Sequence, residues 1–170
     1  MTPKPNRWGV GPKWALPTAL CFVVALGAHI LTYPRFLITR VSSATCLVVG
    51  ALFVAAGVYV YVTALMSLRK GLRSGALVTH GLYGIMRHPL YASSILLIIP
   101  GVAFAFCSWL LLPVPVLAYV ACRLVLPAED DELLERYGQQ FSQYRQRTNA
   151  LYPTRPQPRR GRAAGRNGRD

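Results

Sequence analysis

The chain has 170 residues, of which 53% are hydrophobic and only 15% charged, and its formal net charge is +13. Soluble globular domains carry about 25% charged residues, so an ordinary water-soluble fold is excluded, and the length suits one domain. The basic excess does not point to nucleic acid, because its flexible part stands beside long apolar stretches, where anionic lipid headgroups are the natural partners.

Residues 1–13 form a polar arm carrying Lys4, Arg7 and Lys13. The first predicted span runs from Trp14 to Tyr33 and has no charged residue between Leu16 and Leu31. It is long for the apolar part of a signal peptide, so it is read as a retained span. A loop from Pro34 to Ser43 leads to a second span, Ala44 to Met66, and residues 14–66 are expected to form the first transmembrane hairpin. Pro89 to Leu126 is too long for one crossing and suits two, because about 20 apolar residues match the bilayer core. Cys107 and Ser108 lie near its middle, and a tight turn is expected there. Pro113 and Pro115 are expected to bend the fourth span, since proline removes a helix donor and clashes with the preceding turn.

After Pro127 comes an acidic stretch, Ala128 to Tyr144, with Leu133, Leu134, Tyr137, Phe141 and Tyr144 at helical spacing. That pattern predicts a helix lying at the interface with one apolar face. Residues 154–170 are rich in Arg, Gly and Pro, a composition that cannot bury a core and is expected to be disordered. The tail serves either lipid headgroups or solubility and topology alone. The expected fold is therefore all-α: a polytopic membrane helical bundle of about four transmembrane helices plus a C-terminal interfacial helix. The basic residues concentrate in the arm, the segment 67–88 and the tail, which puts both termini in the cytoplasm by the positive-inside rule. The expected location is a bacterial inner membrane.

Cys21, Cys46, Cys107 and Cys122 lie in or beside apolar spans with no metal-ligand spacing. They are expected to be free thiols, with no disulfide and no metal site. His29 falls inside the first span and is read as a neutral, hydrogen-bonded packing histidine, although ionisable groups in spans are functional by default.

Two polar segments, 67–91 and 123–153, bracket the last hairpin. A helical hairpin returns the chain to its starting side, so both must meet at one membrane face. Gly75, Gly81 and Gly84 permit turns or close backbone approach. Arg87 and His88 stand directly before Pro89, which suits the first turn of a helix and leaves that N-terminus open to an anion. Tyr91 is within the same turn and offers a ring and a hydroxyl. Five of the six carboxylates fall between Glu129 and Glu135. Acids suit a helix start, which explains Asp131, Glu132 and Glu135. Glu129 is nearest the bilayer and the expected pocket. Arg123, near the end of the fourth span, can snorkel to the interface. Arg, His and Tyr are also ordinary anchors at a membrane boundary.

These residues carry a resemblance. Leu77-Val-Thr-His-Gly-Leu-Tyr83, Arg87-His-Pro-Leu-Tyr91, and Glu129-Asp-x-x-Leu133 with Tyr137, Gly138, Phe141, Tyr144 and Pro153 resemble the isoprenylcysteine carboxyl methyltransferases. That family is similar to the broader group of membrane phospholipid methyltransferases. The resemblance covers residues 67–153 and implies a methyltransferase core there, with S-adenosylmethionine bound on the cytoplasmic side. By position, Gly75, Ala76, Leu77, Val78, Tyr83, His88, Pro89, Leu90, Tyr91 and Glu129 would line the cofactor site. Glu129 and His88 would take catalytic roles, and Arg123, the nearest cation to the family's substrate-contacting arginine, would face an anionic acceptor. The implied substrate is lipophilic, with carboxyl O-methylation of an isoprenylcysteine-like molecule as the direct transfer from the family. Two other readings stay open. Membrane sterol and acyl reductases that use NADPH have a similar Arg-His-Pro segment, usually followed by Asn where Leu90 stands here. A non-enzymatic scaffold with a lipid-binding tail would leave His88 and Glu129 dispensable.

Overall fold

The computed structural model describes residues 11–153, so most of the polar arm and the basic tail lie outside the described residues. The described residues form helices α1 (Gly11–Leu31), α2 (Ser43–Ser74), α3 (Pro89–Ala105), α4 (Pro113–Tyr137) and α5 (Gln139–Arg147), with no named strand. Three helical segments, Lys13–Leu31, Ser43–Ser74 and Trp109–Tyr137, are long and apolar enough to cross a membrane, and the apolar α3 accompanies them. The protein is a membrane-spanning helical bundle. Its apolar residues point outward along α1, α2 and α4, as with Leu20, Val24, Leu52, Tyr59, Val116 and Leu124, all exposed. In water that surface would drive aggregation; in a bilayer it meets lipid.

Packing joins the helices in the spatial order α1, α4, α3, α2. The first two helices therefore do not make the packed hairpin that their sequence order suggests: α1 lies along α4, and α2 along α3. Small side chains explain the second pairing. Gly50, Gly57, Ala64 and Gly71 recur every seven residues on α2 and are all buried. A Cβ at Gly50 would stand 2.6 Å from the Ala105 backbone nitrogen, so only glycine allows this approach. Without a hydrophobic force between helices in lipid, such close backbone packing is a main source of association.

α2 starts at the Ser42 cap, whose hydroxyl accepts from the Thr45 N–H at 3.1 Å. It continues past Met66 to Ser74 and ends at Gly75, whose φ of 67° requires the left-handed region. Part of the polar segment that looked like a loop is thus two more helical turns. α3 contains one wide π turn, Ser94–Ile98, ending two residues before Pro100, which has no N–H to give to an α-helical ladder. α4 differs most from expectation. Pro113 stands at its start, and Pro115 sits within the first turn, where no intrahelical N–H is needed. The helix then runs unbroken through Pro127 to Tyr137. The break comes at Gly138, with φ of 54°, so the interfacial helix expected from Ala128 is divided between the end of α4 and the short α5.

The expected turn at Cys107 and Ser108 is present, with Cys107 at φ 48°. It is tied to the loop after α1 by Ile38 N–H to the Cys107 carbonyl (2.8 Å) and Trp109 N–H to the Phe36 carbonyl (3.1 Å). Cys107 is also disulfide-bonded to Cys46 at the start of α2, with Cα atoms 5.6 Å apart. This corrects the expectation of four free thiols: two cysteines far apart in sequence meet because both lie at the same end of the bundle. Cys21 and Cys122 are free. His29 lies close by, edge-on to Phe106 and Tyr33. It is buried as a packing residue, and its Nδ1 has no hydrogen-bond partner among the described residues.

Candidate active site

At the opposite end, the two polar segments meet as the hairpin argument requires. The Arg87 and His88 N–H groups donate to the Asn149 and Ala150 carbonyls at 2.9 and 3.0 Å. Tyr144, on α5, donates its hydroxyl to the Tyr83 carbonyl at 2.6 Å. Burial pushes the Tyr144 phenol up to about 12, so it remains a donor. These contacts fix the strand-like segment before Pro89 against the chain that follows α5.

The core of the site is an ionic cluster around Asp130, which is only 4% exposed. Its carboxylate accepts from Arg87 Nη2 at 3.0 Å and from His88 Nε2 at 3.1 Å. Arg145 Nε stands 3.7 Å away. Arg87 also donates to the Arg145 carbonyl (3.1 Å) and to the Thr148 carbonyl. A carboxylate paired with the Arg87 guanidinium has no proton of its own to give and can only accept. His88 must then carry its proton on Nε2, which leaves Nδ1, when the ring is neutral, as a lone pair facing Glu129 Oε1 at 3.9 Å.

Glu129 is one residue before this cluster and points to a different set of partners. Tyr91 donates its hydroxyl to Glu129 Oε2 at 2.8 Å. The Tyr91 ring is parallel to His88, with centroids 5.6 Å apart and planes 6° from parallel. Tyr83 lies near the same carboxylate. Its phenol is held protonated well above its ordinary range by burial first, then by Tyr144 and Glu129. Val78, Tyr83 and Ala64 form a small core with Leu68, Leu82 and Leu90. Pro89 opens α3, and His88 caps it with no side-chain hydrogen bond, so the first N–H groups of the helix remain available.

The structure thus brings together Val78, Tyr83, His88, Pro89, Leu90, Tyr91 and Glu129. It leaves Gly75 and Ala76 exposed at the end of α2 and Leu77 half-buried, with no side-chain bond from these three to Glu129. Arg123 is exposed on α4, electrostatically near Tyr152 and Cys122. It precedes Glu129 by six residues, about 9 Å along the helix axis. From sequence alone, Asp130 figures only in the resemblance and Tyr144 in the resemblance and the apolar helical spacing, with no site role for either, and Arg145 is not singled out. The available signal was the pairing of a lone acidic cluster with the cation of Arg87-His88-Pro89, but nothing in one sequence says which acid pairs.

The site is thus a carboxylate held by a tyrosine, beside an imidazole and the start of a helix, at one end of the bundle. Residues 38–140, more than half of the chain, match the phospholipid methyltransferase family, and the chain belongs to it. The protein is accordingly an integral membrane methyltransferase, and the family implies a methyl donor in general. No curated protein matches the chain.

Proposed function

We propose that the protein transfers a methyl group from S-adenosylmethionine to a lipophilic substrate at the cytoplasmic face of the membrane. The observation that carries this reading is the Tyr91–Glu129 pair beside the stacked His88. A sulfonium cofactor is a cation with a carboxylate and an amine at one end. The chain's residues suit it: Glu129 for a hydroxyl, amine or positive charge, the rings of Tyr91 and His88 for the cationic sulfur, and the open start of α3 for the carboxylate. When bound, that cofactor supplies an electrophilic methyl group. The protein's part is alignment and exclusion of water, which can contribute several kcal/mol to lowering the barrier.

If the acceptor is a carboxylate, as in an isoprenylcysteine-like molecule, it is already ionised and needs no base. If it is an amine, phenol or thiol, the Nδ1 lone pair of His88 can take the proton, with Asp130 holding the ring in the required tautomer. Arg123, exposed on α4 six residues before Glu129, would face an anionic acceptor entering from the bilayer. The cytoplasmic placement of the site, in a bacterial inner membrane, is supported by the basic residues at that end and by the disulfide at the other, since disulfides persist on the oxidising side. Anionic lipid headgroups are the proposed partners of the basic tail.

Calorimetric titration of detergent-solubilised protein with S-adenosylmethionine and, separately, with NADPH tests the proposal. Saturable binding of S-adenosylmethionine alone is expected, abolished in Glu129→Gln with the fold retained. Binding of NADPH alone would move the chain to reductase-type chemistry, and silence with both from folded protein would favour a scaffold. Glu129→Gln is the cleaner variant, because His88→Ala would also remove a partner of buried Asp130.

A further inference from the structure

The family match begins at residue 38, so it does not cover α1. Yet α1 delivers one side chain to the site. Trp14, 7% exposed, is wedged between α3 and α4 among Ala92, Ile95, Ala118 and Cys122. Its ring meets Tyr91 edge-on, with centroids 5.6 Å apart and planes at 72°. Tyr91 is therefore held from two sides, by His88 lying parallel and by Trp14 at right angles, while its hydroxyl reaches Glu129. The Trp14 backbone carbonyl accepts from the Thr18 hydroxyl at 2.8 Å, one turn later in the same helix. The indole N–H has no hydrogen-bond partner among the described residues. Filling the wedge with apolar bulk alone would not require an aromatic edge, nor leave a buried donor unpaired.

We propose that Trp14 is a positioning residue of the methyl-donor site: its ring edge sets the plane of Tyr91, and through Tyr91 the direction of the Glu129 carboxylate. The first helix is thereby part of the functional unit rather than only an anchor. This deepens the S-adenosylmethionine reading and rests on it.

The full chain has three tryptophans, so Trp8→Phe with Trp109→Phe leaves Trp14 as the sole indole reporter. In that background, S-adenosylmethionine is expected to change Trp14 emission saturably, with the midpoint found by calorimetry. Trp14→Phe, which keeps an aromatic edge, should bind the donor within about threefold of the parent, and Trp14→Leu should bind about tenfold more weakly. Trp14→Leu combined with Tyr91→Phe should be no weaker than the worse single variant, because both act through one hydrogen bond. Apparent Tm, followed in parallel, separates a packing defect from a positioning defect. Loss of Tm with unchanged affinity in Trp14→Leu would overturn the proposal, as would full additivity with Tyr91→Phe. Equal weakening by Phe and Leu would also overturn it, in favour of direct contact by the indole N–H. A chain that binds NADPH instead, with the same Trp14 responses, would remove the donor assignment and keep the positioning role. Failure to bind either ligand by folded protein would remove both.

Discussion

The two ends of the bundle are closed by different chemistry. At the site end, Asp130 gathers Arg87, His88 and Arg145, and backbone pairing joins the segment before α3 to the chain after α5. At the other end, a disulfide joins Cys46 at the start of α2 to Cys107 in the turn after α3, and two backbone hydrogen bonds join that turn to the loop after α1. Both devices tie segments distant in sequence. They differ in what they leave for function. A covalent bond closes its end without polar groups to spare. An ionic cluster fixes His88 in one tautomer and holds the adjacent Glu129 and Tyr91 at the membrane edge. The comparison teaches that closure of the fold and preparation of the site are one task at one end, and a purely structural task at the other.

The sharpest way to break this comparison is Asp130→Ala. It leaves the Arg87 guanidinium, whose side chain is 11% exposed, without its carboxylate. Removing one partner of a buried pair costs about 3–5 kcal/mol, so a large fall in apparent Tm is expected together with loss of donor binding. The exposed Arg145 contributes little to that total. Retained stability would mean that backbone pairing alone closes the site end.

Cys46→Ala with Cys107→Ala comes next. Loss of a bridge closing a long loop costs about 2–4 kcal/mol, so apparent Tm should fall while affinity for the methyl donor stays unchanged. A parallel loss of affinity would show that the ends are coupled, and would defeat the division of labour.

The smallest effect concerns pH and sharpens the account of the site end. The Tyr144 phenol is raised from its ordinary 10.0 to about 12 in the folded protein. Its contribution to stability is thus fully present below pH 10 and is lost as pH rises toward about 12, because the unfolded chain loses that proton first. Tyr144→Phe should flatten that part of the stability profile, measured by chemical denaturation across the same range, while removing the hydrogen bond to Tyr83.

Much of the architecture was legible because bilayer physics acts on short windows of sequence. Uncharged stretches mark the spans, Pro89 marks a helix start, and a hairpin between two polar segments forces them together. These rules place His88 and Glu129 at one face before any coordinates are known. They fail where helix ends are set by tertiary contact. The proline at 127 reads as the start of a new helix, yet α4 continues through it, held by Leu126 in the core and Asp130 in the cluster. The cysteines read as four free thiols, since spacing in sequence carries no information about which bundle end each reaches.

Amphiphilic composition and helical period, which are local properties, were enough to determine a membrane bundle with a polar site built from the segments around His88 and Glu129, and the motifs were enough to place it beside the methyltransferases. Only the tertiary structure decided that Asp130 rather than another acid anchors the cluster, that Cys46 meets Cys107, that α1 packs on α4, and that Trp14 reaches Tyr91. Each of those is a contact between residues far apart in the chain, and such contacts depend on helix rotation and packing order, which no window of the sequence encodes by itself.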